Sequence, residues 1–295
     1  MRPRREPRGG GRLVTPENNP RRMRRSCATH GSNRKFARIC TVLICADAQY
    51  KDWFVPRARE GDATAKDAPE DKVPRIHFQL QLAELKDKLL AMAALAQQAV
   101  DSAVDAWLQR DERLCQYVRE NETAINTAQR EVDEMAYELL SREQPMAIDL
   151  RFILAVIKIN GDLERIGDMA VSIAVRTLDL LDEDPIDLPV DIAGMGDFAS
   201  RMIRTAVQSL LDGDALVAES VRDMDDDIDR MNRVAITELT KLIQDHPETA
   251  DQALPAILIS RNLERIADHA TNIATDVIFW VRGADLRHQL SMAVD

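Results

Sequence analysis

Residues 157–178 read IKINGDLERIGDMAVSIAVRTL, and residues 257–278 read ILISRNLERIADHATNIATDVI. Aligned at an offset of 100, about ten of the 22 positions are identical. A self-match at long period is the mark of a duplicated architecture and takes precedence over any local motif. Each copy carries Leu-Glu-Arg-Ile-x-Asp, so Glu164 and Asp168 recur as Glu264 and Asp268. On a helix, side chains at i and i+4 share one face. The chain therefore presents two matched carboxylate pairs. Leu163, Ile166, Ala170, Ile173 and Thr177 form the apolar stripe of the first copy, and the acids sit on its flank, about 100° around.

The helical reading extends outward from these segments. Leu82, Leu85, Leu89, Met92, Leu95 and Ala99 recur at spacings of three and four, the period of an amphipathic helix. Residues 76–295 contain five prolines, at 145, 185, 189, 247 and 255, and most fall between apolar-periodic runs, where helix breaks belong. The spacing predicts helices near 78–110, 112–142, 147–182, 190–211, 215–244 and 250–282. Asp111 reads as an N-cap of the second, and Gly213-Asp214 as a break before the fifth. Six helices with an internal repeat make an all-α fold of two tandem three-helix bundles, over 76–184 and 190–283. The join is Asp184-Pro185-Ile186-Asp187-Leu188-Pro189, and residues 284–295 form a tail.

Residues 1–75 are of another kind. They hold 18 Lys and Arg against 9 Asp and Glu, with abundant Arg, Pro and Gly and no sustained period, and read as a disordered basic leader. A short apolar core at 38–48 lies too far in for an ordinary signal peptide. The abrupt change in composition near Val73-Pro-Arg-Ile-His-Phe fits a leader that is not native protein, with a natural start at Val73. The remaining 76–295 carry 21 basic and 41 acidic residues, a charge near −20. Such a body is a poor nucleic-acid binder, because that affinity comes mainly from neutralising phosphates with Lys and Arg. It suits hard cations or basic partner surfaces. Cys27, Cys40 and Cys45 lie in the leader and Cys115 in the body. That is neither a disulfide framework nor a zinc spacing, and it fits a reducing, cytoplasmic setting. No apolar run approaches the 18 or so residues of a membrane span.

An i, i+4 acid pair is by default a solvated helix face. Two features weigh against that here. Helices favour opposite charges at this spacing, and two carboxylates about 6 Å apart repel by about 3 kcal/mol at an effective dielectric near 20. The pair also recurs. The preceding helix adds acids, since Val118–Asn126 (VRENETAIN) matches Val221–Asp229 (VRDMDDDID). Asp225 and Asp229 make a further i, i+4 pair in the second bundle, while the first has Glu122 and Asn126, an amide in place of a carboxylate. Antiparallel packing of the fifth and sixth helices would bring four acids together. Such a cluster needs a cation, either metal ions or neighbouring arginines, of which Arg165, Arg230 and Arg265 are the candidates. Oxygen ligation favours Mg, Mn, Ca or Fe over soft, thiophilic metals. His269 follows Asp268 but its repeat partner is Met169. Asp149 and Arg151 read as a capping and pairing couple at a helix start, and Cys115 as a packed small side chain. The Glu-x-x-His spacing of di-iron bundles is missing, as are phosphate loops, nucleophile elbows and triads.

The paired LERIGD and LERIAD segments, together with Glu143-Gln-Pro-Met-Ala-Ile-Asp-Leu-Arg151, resemble the PhoU family of phosphate-specific transport regulators. The resemblance runs from about Arg75 to Gly283. It implies two three-helix bundles, metal clusters held on E/D-x-x-x-D motifs and no catalytic residues. Carried over by position, the implied metal residues are Glu122, Glu164, Asp168, Asp225, Asp229, Glu264 and Asp268. The implied cofactors are divalent or trivalent metal ions (Fe, Mn, Mg or Zn). The implied role is a negative regulator of phosphate uptake and phosphate-starvation signalling. Its partners would be the ATPase subunit of the phosphate ABC transporter and a phosphate-responsive sensor histidine kinase. A homodimer is the expected assembly, and membrane association is expected only through partners. The competing functions are a metal-dependent enzyme or metal-storage bundle, and an accessory protein of a non-ABC phosphate transporter.

Overall fold

A computed structural model describes residues 72–283, with side chains from residue 76 onward. Most of the basic leader, its three cysteines and the tail lie outside the described residues. Six helices follow: α1 (Lys72–Gln109), α2 (Glu112–Arg142), α3 (Ala147–Leu178), α4 (Ile192–Asp212), α5 (Ala215–Asp245) and α6 (Ala250–Arg282). No strand occurs among the described residues. α1 begins at Lys72, six residues before the expected start at 78, and its 38 residues span about 57 Å.

The helix ends are built by local chemistry. The Asp111 side chain accepts from the Arg113 amide at 2.8 Å, and Asp214 accepts from the amides of Leu216 and Val217 at 2.8 and 3.2 Å. These are N-caps, satisfying amides that have no partner within the helix. Gly213 ends α4 in the left-handed region at φ 60°, a conformation that costs a residue without a Cβ little. α4 starts at Ile192 rather than 190 because Asp191 caps it, accepting from the Gly194 amide at 2.8 Å. α3 stops at Leu178, short of the expected 182. The Leu180 and Leu181 amides turn back to the carbonyls of Thr177 and Leu178, which brings Leu180 into the core at 5% exposure. Arg110, at φ 50°, locks that turn by donating to the carbonyls of Leu180 and Glu183. Pro255 lies inside α6 rather than at a break. It is the sixth residue of the helix, so its missing amide costs a single i→i−4 bond, to the Asp251 carbonyl in the first turn.

α1, α2 and α3 pack on one another, as do α4, α5 and α6. The two sets are not separate bodies. α3 packs along α6, and α1 against α4, so one apolar core runs through both. The predicted stripe of α3 is buried throughout, from Leu163 to Thr177. α1 contributes a face of small residues, Ala93, Ala96, Ala99 and Ala103, all at most 3% exposed. Small side chains let neighbouring helix axes approach closely. The connection between the sets is tied down as well: Gln252 Nε2 donates to the Asp184 carbonyl at 2.8 Å, and Leu188 and Val190 pack on a smaller cluster around Leu239, Ala253 and Ala256.

α3 and α6 run antiparallel, as a ladder of contacts shows. The Phe152 and Trp280 rings lie 5.0 Å apart at 58°. Arg151 Nε donates to the Trp280 carbonyl at 3.4 Å, so this arginine reaches across to α6. Lys158 Nζ meets the buried Asp276 carboxylate at 3.4 Å, and Asp162 meets His269. On the opposite seam Lys86 Nζ donates to the Leu211 carbonyl at 2.7 Å, near the C-terminus of α4. Burial lowers that ammonium to about 8, against the opposing pull of Asp212 and Asp87.

α4 comes close to α1 at Gly196, where an added Cβ would lie 2.7 Å from both Val104 methyls. Gly196→Val is expected to destabilise the fold by about 1–3 kcal/mol through overpacking. Urea denaturation of the variant and of the Gly196→Val/Val104→Ala pair checks this. The pair should recover part of the loss, because the two side chains compete for one space.

Candidate metal centre

Two buried polar links hold the acid-bearing helices face to face, in equivalent places of the repeat. In the first set Asn160 Nδ2 donates to the Gln129 carbonyl and to Asp133 Oδ1, both at 2.9 Å. In the second, Ser260 Oγ donates to Asn232 Oδ1 at 2.7 Å. Each link lies one helical turn before a Glu of the Leu-Glu-Arg-Ile motif. Glu164 and Asp168 are thereby turned toward α2, and Glu264 and Asp268 toward α5.

From there the two sets diverge. Asp229, Glu264 and Asp268 each bring a carboxylate oxygen within 4.8 Å of the others. Asp225 stands beside them, its Oδ1 accepting from Thr271 Oγ1 at 3.1 Å. Burial, then the charge of Asp268, then that of Asp229 push Glu264 above the usual carboxylate range. Burial and the charges of Asp225 and Asp229 do the same to Asp268. Asp225 is raised by burial, with the Thr271 hydroxyl pulling the other way. The four acids thus act electrostatically as one cluster whose charge is incompletely balanced.

Glu122, Glu164 and Asp168 form no such group among the described residues. Arg165 lies between the two α3 acids, with Nε 3.5 Å from Glu164 and Nη1 3.8 Å from Asp168. Glu164 is still raised, by burial and then by Asp168, while Arg165 and His269 pull it down. Its neighbour at the fourth place is Asn126, which carries no charge.

Of the arginines considered as neutralisers, Arg165 acts on its own acids. Arg230 pairs with the exposed Asp227, and Arg265 acts on Asp268 only through space. Arg233, not singled out in the sequence, approaches Asp229 at 3.5 Å from one turn along α5. Thr271 is a second residue that the motif alone does not reveal. The repeat holds its signal, since Thr271 stands where the first copy has Val171. His269 is not in the acidic group: its Nδ1 lies 2.7 Å from Asp162 Oδ1 on α3. Cys115 is fully buried, and burial raises its thiol, as fits a packing role.

The donor set is chemically suited to a hard cation: carboxylate oxygens close together, partly withdrawn from water, with little cationic compensation. Without a cation the same arrangement disfavours the ionised folded state. A carboxyl raised on folding stabilises the fold below its unfolded value, and that stability is lost as pH rises through the folded value. Metal-free protein should therefore gain stability as pH falls from 7 toward the ordinary carboxylate range near 4. Asp268→Asn should raise the melting midpoint at pH 7, by about 2–4 °C for each 1 kcal/mol of repulsion removed, and should flatten that pH dependence. Thermal melts with chelator across this pH range make the test.

The PhoU domain model matches residues 89–177 and again residues 192–277, one match for each three-helix set. Over 212 residues the chain is 40% identical to the phosphate-specific transport system accessory protein PhoU homolog of Pseudomonas putida, covering 72% of this chain and 83% of that one. The crystal structure of PhoU from Pseudomonas aeruginosa superposes with a TM-score of 0.68 at 37% identity, covering 70% of this chain and all of that one. The phosphate transport system regulatory protein PhoU of Streptococcus pneumoniae gives 0.66 at 25% identity, covering 71% and 99%. With both halves matched, and relatives spanned over most of their length, the chain belongs to the PhoU family.

Proposed function

We propose that this chain is a cytoplasmic regulatory accessory protein of phosphate transport. It holds down phosphate uptake and phosphate-starvation signalling by contact with the ATPase subunit of the phosphate ABC transporter and with a phosphate-responsive sensor histidine kinase. The observation that carries this reading is the double family match across both helical sets, to relatives named as accessory proteins of phosphate-specific transport. Among the described residues no helix is long and apolar enough to cross a membrane, so on this reading the protein reaches the membrane through its partners.

Metal binding forms part of the same proposal. Asp229, Glu264 and Asp268, with Asp225 beside them, would hold a hard divalent or trivalent cation. The cation would supply the positive charge this cluster lacks. Glu122, Glu164 and Asp168 would hold one more weakly, because Arg165 already offsets part of their charge and Asn126 contributes none.

Deleting the gene should leave a phosphate-starvation reporter active in phosphate-rich medium; unchanged repression there would overturn the regulatory reading. The metal reading has its own test. Glu264→Gln/Asp268→Asn should lose more bound metal than Glu164→Gln/Asp168→Asn, as measured by elemental analysis of natively purified full chain. Chelation should lower the melting point of the unmodified protein, since a ligand at a hundredfold excess over its Kd stabilises by about 2.7 kcal/mol. Equal losses, or melting indifferent to chelator, would count against it.

A further inference from the structure

The repeat breaks its own symmetry at one place on the α3–α6 seam. Asp162 and His269 meet across it, their hydrogen bond 2.7 Å long and the side chains only 17% and 20% exposed. The repeat-equivalent residues are Asn262 and Met169. Asn262 is 7% exposed, and its Nδ2 finds no hydrogen-bond partner. So one of two related positions carries a hydrogen-bonded strut between the helical sets, and the other does not.

The strut stands next to the fuller acid cluster. Asp268 and His269 are consecutive on α6, about 100° apart around the helix. One turn of α6 therefore offers Asp268 to the acids of α5 and His269 to α3. The acids of α5 and α6 repel, which acts to splay or rotate α6 away from the geometry a cation needs. A hydrogen bond from the opposite flank of the same turn resists that movement. The two departures from symmetry coincide: the α6 turn that carries Asp268 also carries the strut's histidine, whereas the α3 turn that carries Asp168 has Met169 in that place.

We infer that Asp162, from the first helical set, is a positioning residue for the metal centre of the second, acting through His269 to hold the α6 turn that carries Asp268. The inference rests on the metal-binding reading above. It makes the second centre dependent on the first set although no first-set atom is a ligand to it. Supports of this kind, one step removed from the ligands, are worth about 10–100-fold in metal affinity.

The test uses the full chain, metal-free, in a Glu164→Gln/Asp168→Asn background that leaves the second centre as the site read, with Mn2+ titrated by calorimetry. Asp162→Asn and His269→Met should each weaken Mn2+ binding about tenfold. His269→Asn, whose amide places an N–H donor near the position of Nδ1, should keep most of the affinity. Lys158→Gln, which cuts the Lys158–Asp276 tie on the same seam, serves as the control: it should lower the melting midpoint and leave Mn2+ affinity unchanged. A loss of fold in Asp162→Asn would leave the two His269 variants to decide. Unaltered affinity in His269→Met, or an equal loss in His269→Asn or Lys158→Gln, would overturn the positioning role and leave metal binding standing. Absence of saturable Mn2+ binding in the unmodified chain would overturn both.

Discussion

The antiparallel contact of α3 with α6 is the constraint on which the rest of this molecule depends. These two helices carry the repeated segments, and both turn their apolar stripes inward. A helix with buried positions this numerous cannot be satisfied by one neighbour. α3 is covered by α1, α2 and α6, and α6 by α3, α4 and α5. The seam therefore joins two bundles into one core. Phe152 against Trp280 closes one end, and the polar ties Lys158–Asp276 and Asp162–His269 mark the register. Such ties add little net stability once desolvation is counted. Their contribution is to penalise a slipped packing, which would draw Lys158 away from the nearly buried Asp276 carboxylate.

With the seam in place, the acids fall on helix flanks that face a neighbouring helix rather than open water. That position makes them both unfavourable and useful. Burial and mutual repulsion raise Glu164, Asp225, Glu264 and Asp268 together. A lone exposed pair would do neither. The first set relieves its acids internally with Arg165 and an amide at position 126. The second has Arg233 on Asp229, yet Asp225, Glu264 and Asp268 remain raised, so part of its charge is left to be met from outside. An internal duplication has thus produced two sites of similar outline and unequal demand for a cation.

A long helical body, a core shared by both helical sets and a concentrated acidic face are the structural properties on which the proposed regulatory reading draws. The cation, on that reading, sets the charge and stiffness of the face rather than carrying out a reaction.

Much of this was legible in the chain of residues. Helix positions followed from apolar spacing, the cap at Asp111 and the break at Gly213-Asp214 from local chemistry, and the paired acids from the repeat. These are short-range properties, fixed within a few residues of backbone. The start of α4 is a local matter, set by Asp191 three residues before Gly194. The early stop of α3 was not legible, since it depends on Leu180 finding the core and on Arg110 reaching the turn from the end of α1. Nor were Arg233 and Thr271 on the acids, the reach of Arg151 to α6, or the pairing of His269 with Asp162. Each depends on which flank of one helix meets which flank of another. The sequence alone determined which segments are helices, which face of each is apolar and that the acids come in duplicate. Only the tertiary structure decided that three acids of the second set converge while those of the first share an arginine. Convergence is a matter of distance between helices, and periodicity along a chain carries no information about that distance.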